Sequence, residues 1–397
     1  MKKIALFMLA PLTDGGGAEK YFVSLARNFR QRDIETDIIT MDKAFIERFA
    51  KWLYLFYYGR WFRQIDTSGR ESESSIEEQL GKARWIRVSY KNLEKTLRSY
   101  DVIYSKNELV DLALLKRMGY KKLPPVIVGM HTPIYYPEAN SFFARLHNFL
   151  YSSIFYKWLL RGTKCIHVSN SSAKELVEKK FRIKCALIYY PFSIEEISEL
   201  AQKNKSDIIF DGSKKNIIFV GRLSKQKGVD TLINIIAKVS KNENLNERIY
   251  LNIFGRGEKK YEDKLKTLSE KYSFIRYFGH IENKFIPDIL NKQDLMIAPS
   301  KWETLPYSIL EAQAMGVPVI AFDIPGPSDI IIDNKTGLLV SNENNYLSGI
   351  KVVVKSDIQF LKDEIIKNIE EKFAPEKIYP ELIDMFKEYS ESEHRKT

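Results

Sequence analysis

Residues 216–239 read NIIFVGRLSKQKGVDTLINIIAKV, and this stretch decides the fold. Asn216–Val220 is almost entirely apolar, which is typical of a strand whose two faces are both buried. A short loop with one arginine and two lysines follows, and Gly228–Val239 then fits a helix. A buried strand, a loop and a helix in this order make up the repeating unit of a doubly wound parallel sheet.

The same alternation of strand and helix continues on both sides of this stretch. The other runs that predict strands are Ile4–Leu9, Thr36–Thr40, Val102–Tyr104, Val126–Gly129, Lys164–Val168, Ala186–Tyr189, Arg248–Phe254, Phe274–Phe278, Leu295–Ala298, Val317–Ala321 and Gly337–Val340. Helical patterns lie between them at Ala18–Arg30, Ser171–Lys180, Lys260–Glu270, Ser308–Met315 and Leu347–Lys355. The alternation predicts an α/β protein with two doubly wound, Rossmann-like domains.

The boundary between the two domains is predicted from the segment 193–213, which is polar and poor in strand signals. We therefore expect an N-terminal domain over residues 1–200 and a C-terminal domain over residues 201–372. Pro375 opens a last helix, and residues 373–397 are expected to return to the first domain. Ligands of such sheets bind at the carboxyl ends of the strands, so the two domains are expected to face each other across a cleft.

The composition excludes several classes of protein. Hydrophobic residues make up 44% and charged residues 28% of the 397 positions, unlike disordered or collagen-like chains. The apolar run 52–58 is much shorter than the roughly 18–20 residues of a membrane-spanning helix. The apolar start of the chain runs into residues 11–17 without a cleavage site, which favours a first strand over a signal peptide. Cys165 and Cys185 could pair, but reduced thiols in a cytoplasmic protein are the preferred interpretation.

Nearly all of the net charge of +11 lies in the first half, where residues 1–200 hold 32 Lys and Arg against 22 Asp and Glu. A basic half favours an anionic partner, such as phosphates or an acidic membrane face. Residues 43–63 and 142–161 mix basic with aromatic side chains, as segments at a membrane interface do. The same composition also suits helices packed inside a large domain, so both interpretations stay open.

The basic loop 221–228 is the first candidate site. Arg222 and Lys227 follow a buried strand, and their charges suit a diphosphate, the arginine as a planar fork and the lysine as a point charge. The loop lacks the G-x-x-x-x-G-K-[ST] pattern of a Walker A motif. A solvated loop without a ligand is the alternative, but the spacing favours a binding role.

The segment 299–312, PSKWETLPYSILEA, carries two carboxylates. Glu303 is predicted to lie in a loop, and Glu311 in the helix that follows Pro306. Glu311 has apolar neighbours in sequence, and a partly buried carboxylate needs hydrogen-bond donors as partners. The two hydroxyl groups of a ribose would meet that need.

Two further candidates lie in the first half. In residues 9–20 a strand enters a glycine-rich turn and then a helix, so Gly16, Gly17 and the helix start could hold an anion. A tight turn without a ligand is the alternative, and the turn is not a G-x-G-x-x-G dinucleotide motif. His131 follows a buried strand at its carboxyl end, where sites of parallel sheets form, although a lone histidine is more often structural.

The residues that match a known family are Gly221–Gly228, Glu303, Glu311, 314–321 (AMGVPVIA) and 336–340 (TGLLV). Together they resemble the retaining nucleotide-sugar glycosyltransferases of the two-Rossmann (GT-B) type. The resemblance is dense over residues 216–345 and sparser over 1–192. It implies that the second domain holds a nucleotide-diphosphate sugar, the donor, and that the first domain holds the acceptor.

The same resemblance implies how the donor nucleotide is bound. Arg222 and Lys227 would bind the diphosphate, and Glu311 would hold the ribose hydroxyls. Gly16 and Gly17 would close over the phosphates from the first domain.

The resemblance also implies which residues reach the sugar. Glu303 would face the donor sugar, helped by backbone N–H groups near Leu305, and His131 would contact the same sugar. Thr304 stands where the family commonly has glycine, a departure that bears on the sugar pocket. The implied catalytic residues are Glu303, His131, Arg222 and Lys227.

The function expected from these residues is transfer of a hexose-type sugar, with retention, to a glycan or lipid-linked glycan. The sequence has no Asp-x-Asp motif, so cationic side chains are expected to replace a metal ion, and no cofactor is expected. Alternatives are a sugar-nucleotide epimerase or phosphorylase on the same fold, and a non-catalytic nucleotide- or nucleic-acid-binding protein. The last lacks a nucleic-acid recognition signature, so no nucleic-acid partner is expected. We expect a cytoplasmic enzyme, peripheral at the cytoplasmic face of the membrane.

Overall fold

The computed structural model describes residues 1, 3–9, 12, 17–42, 44–46, 73–131, 133–135, 142–355 and 358–391. The chain forms two compact units. The first unit comprises Met1–Ile188 and Pro380–Thr397, and the second unit comprises Tyr189–Tyr379. Most of the aromatic and basic segment 43–63 lies outside the described residues, so the prediction made for it remains a prediction.

The first unit is built on a parallel sheet of seven strands. The strands are β1 (Lys3–Phe7), β2 (Glu35–Met41), β3 (Arg84–Val88), β4 (Val102–Lys106), β5 (Val126–Gly129), β6 (Cys165–Val168) and β7 (Cys185–Leu187). Their order across the sheet is β3-β2-β1-β4-β5-β6-β7. The helices described between them are α1 (Gly17–Gln31), α2 (Glu73–Leu80), α3 (Tyr90–Leu97), α4 (Leu109–Met118), α5 (Phe142–Ser152), α6 (Ile154–Leu160) and α7 (Ser171–Phe181).

The second unit repeats this plan with six parallel strands. They are β8 (Lys215–Val220), β9 (Ile249–Phe254), β10 (Ile275–Gly279), β11 (Leu295–Ala298), β12 (Val319–Phe322) and β13 (Gly337–Val340), in the order β10-β9-β8-β11-β12-β13. The helices are α8 (Ile194–Lys203), α9 (Val229–Val239), α10 (Glu243–Asn246), α11 (Lys259–Lys271), α12 (Ile286–Leu290), α13 (Tyr307–Ala314), α14 (Pro327–Ile330), α15 (Glu343–Val354) and α16 (Lys362–Phe373). This is the strand order of a Rossmann sheet, so the prediction of two doubly wound α/β domains is confirmed.

Apolar strands form the centre of each sheet because both of their faces are covered by helices. Residues 4–7 of β1 have no solvent exposure, and β11 is buried along its whole length. The edge strand β3 is different, since its arginines are exposed and Arg84 forms a 2.6 Å ion pair with Asp37 of β2. No strand was predicted there, because β3 lacks an apolar pattern.

The predicted linker 193–213 is wrong over its first half, which forms α8. Ser193 caps this helix by accepting a hydrogen bond from the backbone N–H of Glu196 at 3.0 Å. Helix α8 packs against α12, α13 and α16, so it belongs to the second unit. The first unit therefore ends at Ile188 and not at residue 200. The last helix, α17 (Pro375–Glu391), is divided between the units, with Pro380 and the residues after it in the first.

Candidate active site

The candidate site of the second unit lies where the strand order reverses. Strands β8 and β11 are neighbours, but the chain continues from them in opposite directions across the sheet. Their connections therefore leave on opposite faces, and the crevice between their carboxyl ends is the usual ligand site of such a sheet. The two connections are the basic loop 221–228, before α9, and the acidic loop 299–306, before α13.

Gly228 allows these two loops to approach each other closely. Its φ of +71° lies in the left-handed region, and a Cβ atom added to it would lie 1.8 Å from the Pro299 carbonyl oxygen. Another residue would therefore meet both backbone strain and a clash with the acidic loop. A backbone hydrogen bond also joins the two loops, since the Lys301 N–H donates to the Gln226 carbonyl oxygen at 2.8 Å.

The loops bring Lys227 and Glu303 into direct contact. Lys227 Nζ lies 2.6 Å from Glu303 Oε1, and the side chains are 19% and 8% exposed. Lys227 and Glu303, which were predicted as site residues from separate motifs 76 positions apart, thus form one ion pair. With water largely excluded, this pair fixes the position of the ammonium group more firmly than a solvated lysine would be fixed.

Arg222 lies in the same loop and is exposed. Its Nη2 donates to Gln226 Oε1 at 3.3 Å, and Gln226 Nε2 donates to the Trp302 carbonyl at 3.4 Å. Gln226 thus links the guanidinium to the acidic loop. Sequence reasoning missed this glutamine, since a neutral residue between two lysines gives no signal of its own.

The predicted placement of the two carboxylates is confirmed, because Glu303 lies in the loop and the half-buried Glu311 lies in α13. Leu305, a residue of the acidic loop, is buried at 4% exposure. Gly326 lies close to the same loop: its φ is +91°, and an added Cβ would lie 2.7 Å from the Thr304 carbonyl oxygen. Gly326 was not among the predicted site residues.

In the first unit, His131 follows β5 as predicted. Its backbone N–H donates to Asn107 Oδ1 at 3.1 Å, and its Nε2 lies 3.1 Å from the Tyr104 hydroxyl. Burial, with nearby His167 and Lys106, holds the pKa of His131 well below its usual value, so the ring is neutral at pH 7. Gly17 begins α1, whereas Gly16 lies outside the described residues.

A second lysine–glutamate pair lies where the order of the first sheet reverses, between β1 and β4. Lys106 Nζ is 2.8 Å from Glu19 Oε1, and each side chain is 10% exposed. Next to it, Asp111 Oδ1 accepts a hydrogen bond from the Leu9 N–H at 3.1 Å. Burial raises the pKa of Asp111 to about 7. None of these charged residues was predicted from the sequence, because their spacing matches no motif.

Two family models match this chain, and together they span nearly all of it. Residues 15–196 match the Glycosyltransferase Family 4 model, and residues 201–388 match the model for glycosyl transferases of group 1. The chain belongs to the glycosyltransferases. The prediction of a GT-B glycosyltransferase is thus confirmed in its family, its fold and its class of activity.

Individual relatives of this glycosyltransferase are distant. A 41.2 kDa protein of the cps region of Klebsiella pneumoniae is 30% identical over 63% of this chain and 68% of its own. The 2-deoxystreptamine N-acetyl-D-glucosaminyltransferase of Niallia circulans is 23% identical over 77% of this chain and 80% of its own. The crystal structure of HepE from Anabaena in complex with UDP has a TM-score of 0.70 and 17% identity, covering 98% of this chain and 100% of HepE.

Two features of the described residues concern contact with a membrane. Among those residues, no helix is long and apolar enough to cross a bilayer. For the segment 142–161, a membrane interface and packing inside the domain both stay open, because one part of its side chains is buried and another part is exposed. Tyr151, Tyr156 and Leu159 are buried, whereas Phe149 and Trp158 are 69% and 50% exposed.

Proposed function

We propose that this glycosyltransferase moves a hexose-type sugar, with retention and without a metal ion, from a nucleoside-diphosphate donor to a glycan or lipid-linked glycan. The observation that carries the proposal is the Lys227–Glu303 pair at the reversal point of the second sheet, 2.6 Å long and mostly shielded from water. Such a site offers one fixed cation for a diphosphate and one fixed carboxylate for a sugar cation.

The proposed reaction follows from these charges. The bond between the anomeric carbon and the diphosphate oxygen breaks, and its electron pair leaves with the diphosphate. Arg222 and Lys227 stabilise that growing negative charge more than they stabilise the bound donor, which lowers the barrier. Glu303 faces the sugar as it gains positive charge. An acceptor hydroxyl attacks on the same face, and the leaving phosphate oxygen takes its proton.

Nucleotide-sugars are the substrates that test the function itself. HepE was crystallised with UDP and with UDP-glucose, which supports UDP-sugars as the first donors to test. The Niallia circulans relative, named for transfer to 2-deoxystreptamine, supports including small hydroxylated acceptors beside lipid-linked glycans. We expect release of nucleoside diphosphate in EDTA and an α-linked product from an α-linked donor by NMR. A product of inverted configuration would overturn the proposed retention, and a strict need for added Mg²⁺ or Mn²⁺ would overturn the proposed independence of metal ions.

Replacing Glu311 by glutamine is expected to weaken nucleoside-diphosphate binding about tenfold, since a hydrogen bond to a charged group contributes roughly 1.5–3 kcal/mol. Calorimetric titration with UDP and 2′-deoxy-UDP isolates the ribose contact. The wild type should prefer UDP, and Glu311→Gln should bind the two ligands alike. Glu364→Gln, an exposed carboxylate on α16, is the matched control. A variant that keeps the wild-type preference for UDP speaks against the ribose role.

We propose that the first unit contacts an anionic membrane through one face of α5 and α6. This aromatic–basic face consists of the exposed residues Phe142, Arg145, Phe149, Ile154, Phe155, Lys157, Trp158 and Arg161. Ile154 is 87% exposed, and Phe155 stacks on Trp158 with ring centroids 5.7 Å apart. The ammonium group of Lys116 lies 4.9 Å from the Trp158 ring. Apolar rings beside cations suit the boundary between lipid headgroups and acyl chains.

Vesicle sedimentation tests this contact. The full chain should sediment with vesicles that contain phosphatidylglycerol, and less protein should sediment as salt rises, because anionic lipids attract the basic residues. Phe149→Ser/Trp158→Ser should lose most of the binding. Ile209→Ser replaces an apolar residue of the second unit that is 89% exposed, and it should bind as the wild type does. If the wild type sediments with the vesicles at none of the salt concentrations, or if the double variant binds as much as the wild type, the contact is ruled out.

A further inference from the structure

A group of polar and charged side chains in the second unit joins the acidic loop to two helices. Glu343 is the first residue of α15 and contacts two other elements. Its partners are Thr231 and Asn234 of α9, and Lys301 of the acidic loop. None of these four residues was predicted as a site residue from the sequence.

Helix α9 holds the Glu343 carboxylate in place. The Thr231 hydroxyl donates to Glu343 Oε1 at 2.7 Å, and Asn234 Nδ2 donates to Glu343 Oε2 at 3.1 Å. Each carboxylate oxygen thus has a donor from α9, and the N-terminal turn of α15 favours a negative charge at this position. The hydrogen bond from Thr231 is the main cause that holds the pKa of Glu343 below its usual value, so the carboxylate is charged at pH 7.

The charged Glu343 in turn holds the side chain of Lys301. Lys301 Nζ lies 3.5 Å from Glu343 Oε1, and the two side chains are 19% and 34% exposed. The same ammonium group lies 4.8 Å from the centroid of the Phe322 ring at the end of β12, within the range of a cation–π contact. The position of the Lys301 side chain is therefore set by α9, α15 and β12.

Lys301 is fixed at its backbone as well. Its N–H donates to the Gln226 carbonyl oxygen of the basic loop at 2.8 Å. Glu303 follows two residues later, and its carboxylate lies 2.6 Å from Lys227 of the basic loop. Since the backbone has only two soft dihedral angles per residue, a displacement of Lys301 over this short distance also displaces Glu303.

We propose that Glu343 and Lys301 are positioning residues that hold Glu303 beside Lys227, with its carboxylate facing the donor sugar. The proposal rests on the proposed function, in which Glu303 faces the sugar as it gains positive charge. It adds a residue from outside both loops, since Glu343 acts through Lys301 on Glu303. Positioning of this kind matters for the rate, because a misplacement of about 1 Å at a reacting group can cost 10²-fold.

Hydrogen exchange of the full chain without ligand tests the positioning itself. Glu343→Ala should speed exchange at the amides of the acidic loop about five- to tenfold, the effect of losing one hydrogen bond. Asn344→Ala is the matched control. It removes the hydrogen bond from Lys238 Nζ to Asn344 Oδ1, 2.7 Å long, which also joins α9 to α15 but involves no residue of the acidic loop. The control should exchange as the wild type does, and equal rates in Glu343→Ala and the wild type overturn the proposal.

Steady-state kinetics test whether this positioning serves sugar transfer. Glu343→Ala should lower kcat about tenfold when turnover is counted per UDP-binding site, which calorimetric titration measures and which excludes unfolded chains. Its Kd for UDP should stay within twofold of the wild-type value. Glu343→Gln keeps the oxygen to which Thr231 and Lys301 both donate, so it should lose no more than twofold in kcat. An unchanged kcat per binding site in Glu343→Ala overturns the proposal.

A combined variant tests whether Glu343 acts through Lys301. In a Lys301→Met background, Glu343→Ala should lower kcat by less than twofold, because residues that act as one unit are not additive. A further tenfold loss in this background overturns the proposed route. A wild type that exchanges as expected but transfers sugar from no nucleotide-sugar would instead count against the proposed function, while the positioning of Glu303 would stand.

Discussion

Replacing Lys227 by methionine is expected to lower kcat about 10²- to 10³-fold, the usual effect of losing one preorganised electrostatic contact in the transition state. Methionine keeps the length of the side chain but has no charge to stabilise the leaving diphosphate. KM for the donor should change less than kcat, because the contact strengthens as negative charge grows. Steady-state kinetics over a range of donor concentrations measure both quantities.

The matched controls separate catalysis from folding. Lys227→Met leaves Glu303, 8% exposed, without its ammonium partner, and an unpaired buried charge destabilises the fold. Lys227→Met/Glu303→Gln removes both charges, so it should unfold closer to the wild-type temperature and still turn over slowly. Lys225→Met changes an exposed lysine of the same loop and should stay within twofold of wild-type turnover. Near-normal kcat in Lys227→Met would show that the ammonium group has no part in the chemistry.

Gly228→Ala is expected to have the largest effect on the second unit. A left-handed φ costs an alanine about 1–2 kcal/mol, and the added Cβ at 1.8 Å from the Pro299 oxygen forces the two loops apart. We expect the free energy of unfolding to fall by about 2 kcal/mol or more, and the affinity for a nucleoside diphosphate to fall at least tenfold. Denaturant unfolding and calorimetry measure the two effects.

Gly212→Ala provides the comparison for this variant. Gly212 belongs to the same unit, has no positive φ, and has no atom within 4 Å of an added Cβ. Its alanine variant should therefore keep wild-type affinity and stability or gain slightly in stability, since alanine restricts the unfolded chain. If the two variants behave alike, close approach of the basic and acidic loops is not what Gly228 provides.

The central strands and four of the helices of the second unit could be predicted from the sequence because each has a strong local signal. Leu295–Ala298 and Gly337–Val340 are short apolar runs, and the structure has strands with those bounds. Gly228–Val239 has apolar positions at helical spacing, and α9 begins one residue later. Such signals arise because both faces of a central strand and one face of a helix must be buried.

The elements that could not be predicted lack that signal. Strand β3 lies at a sheet edge, and its exposed arginines form ion pairs, such as Arg84–Asp37, in place of apolar contacts. Helix α8 was hidden by its polar composition, although Ser193 and Glu196 form the capping pattern and Ile197 and Ala201 are buried one turn apart.

The candidate site, too, could be predicted from the sequence only in part. Lys227 and Glu303 were identified from separate motifs, but their 2.6 Å contact depends on the neighbouring positions of β8 and β11, which no local pattern contains. The Tyr104 hydroxyl of β4 likewise contacts His131, which follows β5, and His167 of β6. Pairings of this kind are set by sheet order and register, so they become visible only in the folded chain.

The central claim is that Arg222 and Lys227 bind the phosphate that departs with the nucleotide. Calorimetric titration of UDP and UMP into the wild type and into Arg222→Ala/Lys227→Met tests it directly, because the two ligands differ only in that terminal phosphate. We predict that the wild type binds UDP at least tenfold more tightly than UMP, a difference of about 1.4 kcal/mol, and that the double variant binds both equally. A double variant that keeps the full preference for UDP would contradict the account.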